Sequence, residues 1–315
     1  MPMTDTKIAV IGAGLIGRAW SIAFARAGCE VSLWDPVDGV AAATIAALPP
    51  LLDGLAAQDL LRGGAPEAVA ARVRPATTLA DALDGAAHAQ ENAPERIEVK
   101  RALYADLDAA AGPQTVLASS TSALLPSRIA KGLAGAARIL VAHPINPPYL
   151  VPAVELVPSP WTSPETMERT RVLMEAIGQS PIVMAREIDG FVMNRLQGAL
   201  LEEAFRLVAD GHASAEDVDR GIRDGLGLRW AFMGPFETID LNAPGGVADY
   251  VERFDGMYAG IEASARHRAD WPATAAARVT PNRRAALSMQ DHDARQTWRD
   301  RRLMALLRWR RDQTD

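Results

Sequence analysis

One histidine and one glutamate stand twelve residues apart in VAHPINPPYLVPAVELV, residues 141–157. Either side chain placed in an apolar run costs free energy unless it is paired, so the stretch holds two awkward groups or one working pair. An imidazole suits proton removal near neutral pH, and a carboxylate on its second nitrogen would fix the tautomer and stabilise the imidazolium. His143 is therefore a candidate general base and Glu155 its candidate partner; the bland alternative is a hydrogen-bonded structural histidine. The four prolines of the stretch break any regular continuation and let the chain return on itself.

A second chemical signal lies near the N-terminus, where Gly12-Ala13-Gly14-Leu15-Ile16-Gly17 has the form G-x-G-x-x-G. In that pattern the first glycine makes the turn, the second admits a pyrophosphate to the backbone, and the third lets helix and strand pack closely. The pattern alone is weak. Here it follows the apolar run KIAVI, opens a helical stretch ending at Gly28, and is followed by a second strand ending at Asp35. A carboxylate at Asp35 would accept hydrogen bonds from a ribose 2'-hydroxyl and repel a 2'-phosphate, and Pro36 and Val37 bring no compensating arginine. The cofactor expected from these residues is NAD, held by Gly12, Gly14, Leu15, Ile16, Gly17 and Asp35.

These groups need a frame. Short strands are expected at 87–91, 115–121, 138–142 and 180–185, separated by helical segments, an alternation that favours a parallel, doubly wound sheet. A helix over 164–177 is punctuated by Ser163, Pro164 and Gly178. In such a sheet ligands gather outside the carboxyl ends of the strands, where Glu91, Asn92, Ser122 and His143 fall. Their convergence is expected, with Glu91 on the cofactor, although Ser122 could equally be strand-end capping. Past Asp189-Gly190 the pattern changes: Val192, Leu196, Leu200, Ala204 and Val208 recur every four residues, as in a long helix stopping at Gly211, and Ser214 caps another. The expected architecture is α/β, a Rossmann doubly wound domain over 1–188 followed by an all-α domain over 189–315.

Composition narrows the function classes. The 315 residues carry 33 Lys plus Arg against 39 Asp plus Glu, and a net charge of -6 argues against nucleic-acid or anionic-membrane partners. The arginine-dense segment 295–311 contains Trp298, Leu303, Leu306, Leu307 and Trp309 at helical spacings, which suits a terminal helix packed on its own or a partner subunit better than a nucleic-acid arm. The single Cys29 excludes an intrachain disulfide and a cysteine-based zinc cluster. No basic leader and no 18-residue apolar window is present, and the expected location is the cytoplasm.

S-S-T-S-A-L at 119–124, H-P-x-N-P-P-Y at 143–149, Glu155 and D-G-F-V-x-N-R-L at 189–196 resemble the 3-hydroxyacyl-CoA dehydrogenase superfamily. ELVPSPWTSPET and DGLGLRWAFMGPFET are similar to its lambda-crystallin and L-gulonate 3-dehydrogenase branch, and the likeness runs nearly end to end. The resemblance implies a catalytic His143 paired with Glu155, Ser122 and Asn194 around the reacting oxygen, and a helical domain that forms a homodimer. Acyl-CoA enzymes of the family typically carry two phenylalanines after the histidine; Pro144 and Ile145 stand there instead. An arginine able to grip a carboxylate is expected at Arg229, with a surface arginine stacked on Trp230 as the alternative. The expected reaction is NAD-dependent oxidation of a small 3-hydroxy acid, L-gulonate first. The alternatives are a short-chain 3-hydroxyacyl-CoA or carnitine dehydrogenase, or a crystallin-like NAD-binding protein without catalysis.

Overall fold

Strand β1 (Lys7–Ile11) shows why the N-terminal run is apolar throughout: Ile8 and Val10 enter one buried cluster and Ala9 and Ile11 another, so both faces are covered. The computed structural model describes residues 6–265 and 267–313. Around β1 lie β2 (Glu30–Trp34), β3 (Val73–Pro75), β4 (His88–Glu91), β5 (Val116–Ser119), β6 (Ile139–Pro144), β7 (Ala153–Pro158) and β8 (Ser180–Val183). They form one sheet in the order β3-β2-β1-β4-β5-β6-β7-β8. Every pairing is parallel except β6 with β7, where the chain turns back directly and sets His143 opposite Glu155. The sheet is thus a doubly wound, Rossmann-type sheet with one antiparallel step.

Helix α1 (Leu15–Arg26) leaves the glycine-rich turn and buries Trp20, Ile22 and Phe24 on the first face. On the other face α2 (Ile97–Ala110) contributes Tyr104 and Leu107. Helix α3 (Pro164–Ala176) begins as its sequence announces, with the Ser163 hydroxyl accepting from the Thr166 amide and Pro164 at the first position.

Two compact units emerge. The first holds residues up to Asn194 together with 299–315, and the second holds 195–298. The second is helical. It contains most of α4 (Met193–Ala209), followed among others by α5 (Pro235–Leu241) and α6 (Gly246–Ser264). Inside it Phe205 stacks on Trp271 at 4.7 Å, and the Trp271 indole donates to Glu202. Of the apolar stripe expected along α4, Val192 falls in the turn before the helix and the other four lie on it; Leu196 and Leu200 are exposed and only Val208 of the five is buried. The terminal α7 (His292–Asp312) inserts Met304 into the first unit's core with Leu303 and Leu307 beside it, and Arg311 pairs with Asp59. No helix among the described residues is long and apolar enough to cross a membrane.

Candidate active site

Parallel register brings the ends of β1, β4 and β5 level, with Ile11 beside Glu91 and Glu91 beside Ser119. The residues just beyond these ends therefore share one rim. Asn92, Ser120, Ser122, His143 and Asn194 line a cavity of about 360 Å³, with Pro144, Ile145 and Asn146 also in its wall. This is the convergence expected of Asn92, Ser122 and His143.

His143 is almost wholly buried, and its Nδ1 lies 2.6 Å from Glu155 Oε2. The other carboxylate oxygen, Oε1, accepts from the amides of Val192 at 2.7 Å and Met193 at 2.8 Å. Burial works against the Glu155 charge, but the His143 hydrogen bond and the two amides outweigh it and hold its pKa below the ordinary carboxylate value. An ionised Glu155 obliges Nδ1 to carry a proton, so in the neutral imidazole the free lone pair belongs to Nε2. The two amides are aimed by a left-handed turn: Gly190 has φ 78° and Phe191 φ 50°. For phenylalanine that conformation costs on the order of 1 kcal/mol or more, and full burial of its ring beside His143 fixes it there.

Ser122 is held by Glu95, whose Oε1 accepts from the amides of Ser122 and Ala123, each at 3.0 Å, and from the Thr121 hydroxyl. Asn194, on the first turn of α4, donates its amide to the Ser122 carbonyl at 2.7 Å. Ser120 is fixed three ways, accepting from Trp20 and Gln90 and donating to Asn92. Glu95 and Ser120 escaped the sequence reading. The signal for Glu95 was present, an acid in a proline-flanked loop immediately after a strand end.

Glu91, expected to touch the cofactor, is instead fully buried beneath the rim. Its carboxylate takes the Ala93 amide at 2.6 Å, the buried Lys100 ammonium at 2.7 Å and the Ser119 hydroxyl at 2.6 Å. It anchors the ends of β4 and β5 to α2. Arg229 lies in the second unit, exposed on the short helix Gly227–Trp230.

The glycine turn fits an anion. A side chain at Gly12 would meet the Asn92 carbonyl at 3.0 Å, and one at Gly17 would collide with the Gly12 carbonyl at 1.8 Å, whereas Gly14 faces open space. The open glycine is the one across which a pyrophosphate would approach. The start of α1 has neither a side-chain cap nor an acidic residue, so its first amides remain available for negative charge. The exposed Leu15 and partly buried Ile16 follow, and Ile16 also borders the catalytic cavity. Asp35, half-buried at the end of β2, is oriented by the Ala13 amide at 2.9 Å and the Val37 amide at 3.0 Å.

Residues 7–188 match the NAD-binding domain of 3-hydroxyacyl-CoA dehydrogenase, and residues 190–276 match the C-terminal domain of the same enzymes. The chain belongs to the 3-hydroxyacyl-CoA dehydrogenase family. It is 47% identical over 253 residues to a lambda-crystallin homolog from Bos taurus, covering 79% of this chain and 78% of that one. An L-carnitine dehydrogenase from Oceanobacillus iheyensis is 39% identical over 249 residues, covering 79% and 80%. Among solved structures, an NAD-dependent dismutase, 5-formyl-3-hydroxy-2-methylpyridine 4-carboxylic acid 5-dehydrogenase, aligns over 96% of this chain and 97% of its own with a TM-score of 0.81 and 27% identity. This member of the 3-hydroxyacyl-CoA dehydrogenase family is accordingly an NAD-dependent oxidoreductase, and its glycine turn and Asp35 belong to the NAD-binding domain.

Proposed function

We propose that the protein oxidises a small 3-hydroxy acid to the 3-keto acid with NAD, with L-gulonate giving 3-dehydro-L-gulonate as the leading substrate. The observation that carries this reading is the buried His143–Glu155 pair at the edge of a small cavity. The chemistry that NAD supplies when bound is acceptance of the hydride from the substrate's carbinol carbon. His143 Nε2 takes the hydroxyl proton, and the imidazolium so formed is stabilised by Glu155, which the amides of Val192 and Met193 keep ionised. Ser122 and Asn194 hold the substrate oxygen as it becomes a carbonyl, and Arg229 is the residue proposed for the carboxylate because a guanidinium can grip one through two parallel hydrogen bonds. Atoms and charge balance: alcohol and NAD give ketone, reduced cofactor and one proton on His143.

A free acid is favoured over an acyl-CoA thioester by Pro144 and Ile145 on the cavity wall and by the likeness to carnitine dehydrogenase, whose substrate is a 3-hydroxy acid. The exposed apolar face of the helical unit supports a homodimer, and the lone, buried Cys29 is consistent with a cytoplasmic setting. The test is steady-state NAD reduction with L-gulonate, L-carnitine, 3-hydroxybutyrate and 3-hydroxybutyryl-CoA. The highest kcat/KM on L-gulonate is expected; preference for the thioester overturns the free-acid reading. Arg229→Gln should raise KM for the acid and leave NAD affinity unchanged.

A further inference from the structure

At the opposite end of β2 from Asp35, where α1 ends, three arginines line one cavity that has no acid in its walls. Arg26, Arg62 and Arg72 line a cavity of about 440 Å³ whose remaining walls are backbone and small side chains, Gly28, Gly63 and Gly64 among them, and no carboxylate contributes to it. None of the three forms an ion pair among the described residues. Each spends one N–H on a backbone carbonyl: Arg26 on Tyr149 at 2.7 Å, Arg62 on Ala176 at 2.8 Å and Arg72 on Gly28 at 3.1 Å. A guanidinium has five N–H donors, so most of their capacity is unspent, and the Nε of Arg26 is buried with no partner.

Carbonyl capping accounts for one bond per arginine but not for the gathering of three like charges. Burial, with Arg62 adding repulsion, pushes the Arg26 guanidinium down to about 10, the direction a missing counter-charge produces. Arg26 and Arg62 also border a second chamber of about 360 Å³, whose walls include Tyr149, Leu150, Ile177 and Leu307 together with Asp59, a carboxylate already paired with Arg311. The two chambers together present a cationic head site and a mainly apolar slot whose one acid, Asp59, is neutralised by Arg311. A tetrahedral dianion offers oxygens to donors arriving from three directions, which a single planar carboxylate does not.

We propose that this two-chambered cavity, remote from the catalytic rim, binds a small organic phosphate, its dianionic head among Arg26, Arg62 and Arg72 and its carbon skeleton along Tyr149, Leu150 and Leu307. The site needs neither His143 nor the glycine turn, so it stands or falls separately from the proposed reaction.

The experiment is isothermal titration of the full chain, saturated with NAD so that the glycine turn is filled, with phenyl phosphate and with inorganic phosphate at fixed ionic strength. Saturable binding with one site per chain is expected, tighter for phenyl phosphate. Arg62→Ala and Arg72→Gln should each weaken it about ten-fold or more, consistent with loss of a charge-assisted contact. Arg62 is exposed, so its variant should keep the wild-type circular dichroism melt. Absence of saturable binding in the millimolar range, or unchanged affinity in either variant, overturns the site; equal affinity for the two phosphates overturns the role of the apolar chamber.

Discussion

In the first unit Trp20, Phe24, Tyr104 and Phe191 are fully buried, while in the second Leu228, Phe232, Phe236 and Leu241 are each more than half exposed. Among the described residues, the buried hydrophobic ones of the second unit are Val208, Ala215, Ala243 and Ala269, three of them alanines. A sheet covered on both faces closes its own core; a set of helices with apolar residues on the outside does not. The difference separates two tasks. The first unit fixes chemistry to within a hydrogen bond, and the second offers surface.

Loss of the proposed base is the largest effect expected of the first unit. His143→Gln should lower kcat by about 10³-fold or more while NAD binding and the melting temperature stay close to wild type, because Gln can still donate to Glu155. Turnover near wild type in that variant removes His143 from the mechanism. Next comes the core itself. Trp20→Ala should cost roughly 3–5 kcal/mol in chemical denaturation, since the indole is fully buried, stacks on Phe24 at 5.3 Å and donates to Ser120. A loss below about 1 kcal/mol would show that the first unit is not the self-sufficient body described.

A smaller effect of the same burial is a pH dependence. His88 is completely enclosed, and burial, with Arg169 adding to it, lowers its pKa from 6.5 to about 4 against the opposing hydrogen bond to Gln90. Between those values the unfolded chain binds a proton that the folded chain refuses, so stability falls as pH drops from 6.5 towards 4 and is free of this penalty above 6.5. The full span amounts to about 3 kcal/mol. Glu155 adds to the acid loss lower down: its lowered pKa contributes stability that is complete above the ordinary carboxylate value and disappears as pH falls through the native one. Melting temperatures of wild type and His88→Leu from pH 7 to about 4 check the assignment, the variant being expected to show the shallower decline. Parallel curves would remove His88 as the cause.

Legibility in the sequence follows the range of the signal. The glycine turn, α1 and the caps at Ser163 and Ser214 are local devices, and each sits where its residues placed it. The match of His143 to Glu155 was readable because prolines force a return and the antiparallel register then makes the two face each other. Strand β3 was missed because Val73-Arg74-Pro75 is an edge pairing without apolar length. Glu91 was misplaced for a different reason. It pairs with Ile11 and shares the face of Ala9 and Ala89, which α2 covers with Lys100 and Tyr104. Which of two neighbours at a strand end looks down and which looks out depends on alternation counted from the core, and a motif does not carry that count. The α4 stripe was right in period yet silent on what covers it.

That silence is what the smallest stability effect can resolve. Phe236 and Leu241, at the two ends of α5, are 77% and 67% exposed, so Phe236→Ser with Leu241→Ser should change the stability of an isolated chain by only about 0.5 kcal/mol per site. If a second copy covers this face in solution, the same pair of substitutions leaves the fold intact but shifts the mass in sedimentation velocity from two chains to one at micromolar concentration. Secondary structure by circular dichroism should not move. Wild-type protein that sediments as one chain throughout that range defeats the homodimer outright. A double variant that stays dimeric instead places the interface on another part of the helical unit, away from α5. The contrast between the units therefore makes opposite demands on equally apolar side chains: truncating Trp20 should destabilise the fold, and truncating Phe236 and Leu241 should only separate the copies.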